Sequence, residues 1–527
     1  MSQMLKSSGA MAAATLTSRV LGMVREMVYA AFMGNGWVAS AFLLAFQVPN
    51  LFRRLLGEGA LTAAFIPIFK NKQVADGEKE MWRCANAVIS GLVAASAAVT
   101  VVVMLGLGVV LLVGVSKIQT RLMLQLLWLM FPYMVLVCLA AVLIGMSNAR
   151  GHFFVPAMGA VLLNVIMICS VLFLAPRFGV QLQHQIFGLA IGVLLAGLAQ
   201  ALFQVPTLMR EGYRYEWVSP WTDPTVREVV RKMLPGSIGV AAFQINVLLT
   251  QNFSYWFDQS IVSTFNYAVR LMELPQGMFG ISLATYLLPT LTGLAAQKKF
   301  PEFRDTLRQG IENLAFANLL AAAVSLTLAE PIVRLLFERG AFGSGATHRV
   351  ALALACLAPG LLMFSLNNIL ARAFFALSDI KTPMKISVFC LMLNLVLSFW
   401  FLKRFQTAEL RGEVGLAVAN TLTAACNSCL LFYALRRKLS RLDMASLKST
   451  LLLLFSGAVL AGIVAALLSF FWEHQIGHAT LPAKIGAVFV PGAAAGLVYW
   501  GASLWMGLDV AREMTDLLFA RFSRKAK

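Results

Sequence analysis

The chain has 527 residues, of which 59% are hydrophobic and only 13% charged. That composition excludes an ordinary soluble enzyme and describes a polytopic membrane protein. The formal net charge of +19 would suit a nucleic-acid partner, but the positive residues sit in short loops between apolar runs, so no nucleic acid is expected.

Apolar runs of about 20 residues or more read as spanning helices. Fourteen occur, at 8–33, 37–69, 84–113, 122–147, 155–175, 186–209, 233–256, 262–296, 309–333, 350–377, 384–402, 414–435, 449–471 and 485–506. The expected fold is all-α. The first run is not a cleavable signal, because Arg19, Arg25 and Glu26 interrupt it. Lys and Arg concentrate in the loops on one side, which places both termini in the cytoplasm.

The first two runs hold charges at membrane depth, where each costs at least ~3 kcal/mol and usually faces a cavity. At 100° per residue, Ser18, Arg19, Gly22, Arg25, Glu26 and Tyr29 share one side of the first helix, within about 120° of arc. Gln47, Asn50, Arg53, Arg54, Gly57 and Glu58 share a face of the second, with Pro49 as a kink. The eighth run adds Asn266, Arg270, Glu273 and Gly277 on one line, with Ser263 close to it. The intramembrane cations, Arg372 included, are all arginine, whose planar fork suits phosphate. They outnumber Glu26, Glu58 and Glu273, so the cavity is made for an anion. Arg54 and Glu58, one turn apart, fit a structural pair as well as a site, and Arg372 fits a snorkelling residue.

A repeat runs through the chain. NARGHFFVPAMGAVLLN around Pro156 matches ALSDIKTPMKISVFCLMLN around Pro383, an offset of 227, and Gly188 and Gly415 lie in matching contexts at the same offset. Two six-helix halves in parallel orientation follow. The division is 1–220 for the N-terminal lobe, 221–440 for the C-terminal lobe, and 441–527 for two added helices and a basic tail. The added pair is rich in glycine, with Gly492 and Gly496 as a G-x-x-x-G. That pattern fits close helix packing or the border of a groove for a lipid tail.

Other motifs carry less. Cys426 and Cys429 form a C-x-x-C inside a helix and read as small packing residues. His474 and His478 lack further metal ligands. No nucleotide-binding loop or nucleophile–base pair lies at membrane depth, so a transporter is expected rather than an enzyme. No cofactor or metal is expected. A coupling ion, Na⁺ or H⁺, stays open, with Asp379 beside Thr382 as its candidate site.

Four segments, SRVLGMVRE (18–26), VPNLFRRLLGEGALTAAFIP (48–67), YAVRLMELPQGMFGISLATYLLP (267–289) and FERGAF (337–342), resemble the MurJ (MviN) lipid II flippases of the multidrug/oligosaccharidyl-lipid/polysaccharide exporter superfamily. The similarity covers nearly the whole length. It implies two six-helix lobes around a cationic cavity, and a tail groove at helices 13 and 14. It also implies transport of lipid II, an undecaprenyl-diphosphate-linked disaccharide-pentapeptide, from the inner to the outer leaflet of the bacterial inner membrane for peptidoglycan synthesis. The partners it implies are lipid II, membrane lipids and other cell-wall synthesis proteins. By motif, Arg19, Arg25, Arg53 and Arg270 are the implied substrate-binding residues. Ser18, Glu26, Asn50, Arg54, Glu58, Ser263, Asn266 and Glu273 support them. Glu26 stands where the family often has Asp, and Ser40 where it often has an acid. A flippase for another polyprenyl-diphosphate glycan and a drug/cation antiporter are the competing readings.

Overall fold

In a lipid environment each backbone N–H and C=O must find its partner within the segment, which selects helices. The structure, a computed structural model, describes residues 2–54, 60–407, 411–439, 444–513 and 515–516, and among them every regular element is helical. Glu58 and Gly57 lie outside the described residues.

The chain divides into two compact units, 1–263 and 264–527. The first holds α1 (Ser2–Met33), α2 (Trp37–Phe52), α3 (Ala60–Val113), α4 (Ile118–Met130), α5 (Tyr133–Ala149), α6 (Phe154–Cys169), α7 (Leu182–Arg210) and α8 (Pro224–Phe257). The second begins within α9 (Ile261–Pro275) and continues through α10 (Ser282–Ala296), α11 (Phe300–Thr327), α12 (Ala329–Phe337), α13 (Ser344–Leu357), α14 (Leu361–Ala376), α15 (Lys381–Thr407), α16 (Gly412–Leu439), α17 (Met444–Gln475) and α18 (Leu481–Trp505).

Among the described residues, ten helices are long and apolar enough to cross a bilayer, or eleven if α4 and α5, bent by 41° at their junction, form one span. α2, at 16 residues, is shorter, and α1 and α8 lie outside that set. Exposed Val102, Leu105, Val109 and Leu112 on α3 show the lipid-facing character of its second half. Residues 70–83, expected as a loop, are helical except for a kink at Gly77, whose φ of 86° suits glycine.

In the first unit one core joins α3, α5 and α7 through Phe65, Phe69, Leu143, Met146 and Leu208. A second joins α1, α2, α4 and α7 through Tyr29, Phe42, Leu126 and Leu189. In the second unit Leu287, Leu314, Phe374 and Leu431 join α10, α11, α14 and α16. α17 and α18 seat on α11 through Phe316, Ala461 and Tyr499.

The close approach within the added pair falls on Gly486, where the Trp472 ring fills the place of a Cβ, while Gly457 faces Tyr499 and Gly462 faces Ala323 and Thr327 at ordinary contact. The G-x-x-x-G expectation is only partly met. A Cβ on Gly496 would meet nothing within 4 Å, and one on Gly492 would reach only Leu328, at 3.9 Å.

The repeat reappears as local geometry. α5 ends with His152 N–H donating to Ser147 O at 2.9 Å, and α14 with Asp379 N–H donating to Phe374 O at 2.9 Å. Gly151 and Ser378 take positive φ, at 88° and 57°. Each is a helix C-cap closed through a left-handed residue, and all corresponding residues are 227 apart. A Cβ on Gly188 would lie 3.0 Å from Phe178, and one on Gly415 2.9 Å from Phe405, at the same offset.

Candidate functional site

α1 displays the expected stripe. Arg19 is exposed, Arg25 half-buried and Glu26 buried. Neighbours one residue apart do not normally face each other on a helix, yet Arg25 Nη2 reaches Glu26 Oε1 at 2.6 Å. The guanidinium also lies over the Tyr29 ring, one turn on, with 5.5 Å from Cζ to the centroid. Tyr29 in turn meets Phe42 of α2 edge-on at 6.2 Å. A carboxylate and an aromatic face therefore fix the direction of Arg25. Its Nε is buried without a hydrogen-bond partner among the described residues. A guanidinium so held is preorganised to receive an anion without first searching rotamers.

α1 is itself held by α6. Asn164 Nδ2 donates to the Ser18 carbonyl at 3.1 Å, and Gly22 leaves room for it, its Cβ position being 3.8 Å from that nitrogen. Asn164 sits in the repeat segment but is not legible there as a site residue, because a single Asn in an apolar run carries no periodic signal.

On α2, Asn50 is half-buried, and Arg53 and Arg54 continue past Phe52 in a wider π-type turn. Such turns are frequent at functional sites, where they re-aim side chains. The expected Arg54–Glu58 pair involves a glutamate outside the described residues. Ser40 is buried and accepts the Ser263 N–H at 3.1 Å, while its hydroxyl donates to Ser263 Oγ at 3.0 Å. Ser263 Oγ also donates to the Asn35 carbonyl at 2.7 Å. This position is thus a neutral hydroxyl pair.

In the second unit, α9 carries the stripe. Arg270 Nη1 bonds Glu273 Oε2 at 2.9 Å, and both side chains are solvent-accessible. Asn266 is half-buried beside them in sequence. Buried Tyr267, at the flank of this stripe, packs against Phe337 and Phe342 at 5.2 and 5.5 Å. The FERGAF segment therefore fixes the rotation of α9. A π-helical turn, Gln276–Ile281, follows Pro275. There Gly280 admits Ser365, whose Oγ lies 2.7 Å from the place of a Cβ.

Asp379, the candidate site for a coupling ion, is held by protein donors. It accepts hydrogen bonds from Thr382 N and Oγ1, at 3.1 and 2.8 Å, at the start of α15. Lys438 Nζ donates to it at 2.7 Å. Lys438, with the two Thr382 donors, lowers its pKa to about 2. Its donors make it a helix cap and ion-pair partner. His474 turns to the Phe470 carbonyl and His478 to Glu473, at 3.0 and 2.6 Å, so the two histidines do not converge.

The fold compares with solved transporters. A structure described as "Lipid II flippase MurJ, inward closed conformation" matches with a TM-score of 0.76 over 95% of this chain and 99% of that one, at 20% identity. An inward-facing MATE multidrug-resistance transporter of the MOP superfamily matches at 0.64 over 82% and 96%, at 15% identity. The class is therefore a multi-pass membrane protein with a MOP-type transporter fold. A family model described as "Lipid II flippase MurJ" matches residues 29–485. The "Probable lipid II flippase MurJ" of Vibrio cholerae is 34% identical over 448 residues, covering 82% of this chain and 83% of that protein. That of Haemophilus influenzae is 32% identical over 487 residues, covering 88% and 91%. The chain belongs to the lipid II flippase MurJ family.

Proposed function

We propose that this protein is a lipid II flippase of the bacterial inner membrane. It carries the undecaprenyl-diphosphate-linked precursor from the cytoplasmic to the outer leaflet by alternating access. The residues of this reading for the diphosphate are Arg19, Arg25, Arg53 and Arg270. The observation that carries this reading is Arg25, half-buried and held between Glu26 and Tyr29.

In this reading all fourteen apolar runs span the membrane, both termini are cytoplasmic, and 1–220, 221–440 and 441–527 act as two lobes and an added pair. The prenyl tail follows α17 and α18. An inside-negative potential favours outward movement. Two negative charges crossing 100 mV gain up to ~4–5 kcal/mol, less whatever protein charge moves with them. No ATP is then needed.

The test is complementation in a bacterium depleted of its own lipid II flippase. Wild type is expected to restore growth, and Arg25→Ala and Arg270→Ala to fail at matched membrane expression. Growth with both variants would remove the arginines from the mechanism. Absence of rescue by well-inserted wild type, in a host shown to accept a family member, would point to another lipid-linked glycan.

A further inference from the structure

Between α7 and α8 the chain leaves helix over residues 211–223, and from 212 onward it forms a strap. This strap is pinned to α3. Tyr213 is buried against Trp82, with ring centroids 5.4 Å apart. Asn86 Nδ2 donates to the Arg214 carbonyl at 2.9 Å, and Ser90 Oγ lies 3.1 Å from Tyr215 OH. Pro220 rests on Gly91, where a Cβ would come within 3.1 Å. Asn86, Ser90 and Gly91 occupy the first turns of the apolar half of α3. At 1.5 Å per residue, Gly91 is ~12 Å along the helix from Arg83. The polar zone on each side of a bilayer is roughly 5–7 Å deep, so the strap passes through headgroup level.

Its outward face suits that level. Trp217 and Trp221 are 63% and 77% exposed although the backbone beneath them is fixed. Val230 and Leu234, on the first turns of α8, are also exposed. Aromatic side chains of this kind settle at the membrane–water boundary.

The charges point the same way. Four acids lie in or beside the segment: Glu216, next to Trp217, is exposed and forms no ion pair among the described residues, and the other three are occupied internally. Glu211 bonds Arg150 and His152, Asp223 caps α8 by accepting the Thr225 N–H, and Glu228 pairs with Lys232. Among the described residues, Arg227 and Arg231 form no ion pair. They share a side of α8 with Val230 and Leu234, while Val226, Val229 and Met233 pack against the α3 core.

From this juxtaposition we infer that the 212–223 strap and the first turns of α8 form a binding surface for anionic phospholipid headgroups of the bilayer. Trp217 and Trp221 sit among the headgroups, and Arg227 and Arg231 receive the phosphate. The surface is separate from the arginines proposed for substrate and rests only on the membrane location.

Brominated lipids quench tryptophan at contact range. The full-length protein is reconstituted in phosphatidylcholine vesicles in which the bromines sit either on phosphatidylglycerol or, at equal mole fraction, on phosphatidylcholine. The contribution of the strap is the difference between wild type and Trp217→Phe/Trp221→Phe. That contribution is expected to be quenched about threefold more by the brominated anionic lipid, and Arg227→Gln/Arg231→Gln is expected to erase the preference. Equal quenching by both lipids, or a preference that survives the arginine substitutions, would overturn the anionic site. Absence of quenching by either lipid would remove the strap from the membrane altogether.

Discussion

Glu211 and Lys438 occupy the same position in the two repeats, 227 residues apart, and carry opposite charges. Glu211 pairs with His152 at 2.8 Å, and Lys438 pairs with Asp379, the counterpart of His152, at 2.7 Å. The pair survives with its polarity reversed, so the contact that ties the end of one helix to the turn after another is what both repeats keep. Arg150 adds a second partner in the first unit only, 2.7 Å from Glu211 and 3.0 Å from Glu78. Its counterpart is Leu377.

This arrangement predicts an asymmetric rescue. Glu211→Lys should destabilise the protein by ~1–3 kcal/mol, since it removes the carboxylate shared by Arg150 and His152 and adds a like charge. Adding His152→Asp should recover little, because Arg150 still faces a lysine. Adding Arg150→Leu as well should recover most of the loss, as it completes the geometry of the second repeat. Thermal unfolding of the purified protein in detergent reads the series. Full recovery at the double substitution would show that Arg150 is not part of the pairing.

The Asp379 cap predicts an acid limb. Its folded pKa, lowered to about 2 by Lys438 and Thr382, lies below the ordinary aspartate value of about 3.9. The folded state therefore holds fewer protons, and stability from this group is present above pH ~4 and lost as pH falls towards 2. Asp379→Asn should lower the melting temperature at pH 6 and flatten its fall between pH 4 and 2. A variant that melts in parallel with wild type across that window would show that the cap does not couple to folding.

A second comparison across the repeats concerns a buried ion pair. Arg349 grips Glu413 with Nε and Nη2 at 2.6 and 2.8 Å, and Glu413 is fully buried. The counterparts at the same offset are Leu122 and Ile186, both inside an apolar core. Arg349→Leu alone should cost ~3–5 kcal/mol by stranding a buried carboxylate, whereas Arg349→Leu/Glu413→Ile should lie near wild type. Additive losses in the double variant, measured by the same unfolding assay, would mean that the pair does more than fill its site.

The sequence reveals some of this and hides the rest for identifiable reasons. The Arg19–Arg25–Glu26 stripe and the Asn266–Arg270–Glu273 stripe are legible because a charge inside an apolar run is costly, and helical spacing gathers several such charges onto one face. The reversed pair at Glu211 and Lys438 is hidden because a repeat sought by similarity scores an acid opposite a lysine as a mismatch. The 212–223 strap is hidden, since its anchors Asn86, Ser90 and Gly91 are small residues on a distant helix. Gly492 and Gly496 mislead because their spacing resembles a packing motif, while the close approach within the added pair falls on Gly486 against Trp472, a single glycine with no spacing to read. Asp379 beside Thr382 reads as an ion site, and the same letters also make the cap seen at the start of α15.

The last prediction concerns how Arg25 is aimed. Glu26 and Tyr29 hold it from two directions, at 2.6 Å and 5.5 Å. If the planar guanidinium matters, Arg25→Lys should fail in the complementation assay nearly as fully as Arg25→Ala, since a lysine keeps the charge but loses the fork that grips two phosphate oxygens. Tyr29→Phe should be tolerated, because the ring face and its edge contact with Phe42 remain. Tyr29→Leu should weaken rescue by removing a cation–π contact worth ~0.5–2 kcal/mol. Glu26→Asp should keep rescue, and Glu26→Gln should reduce it by loosening the guanidinium. Function retained in Arg25→Lys would mean that charge alone suffices, and the aiming by Glu26 and Tyr29 would then belong to folding rather than to transport.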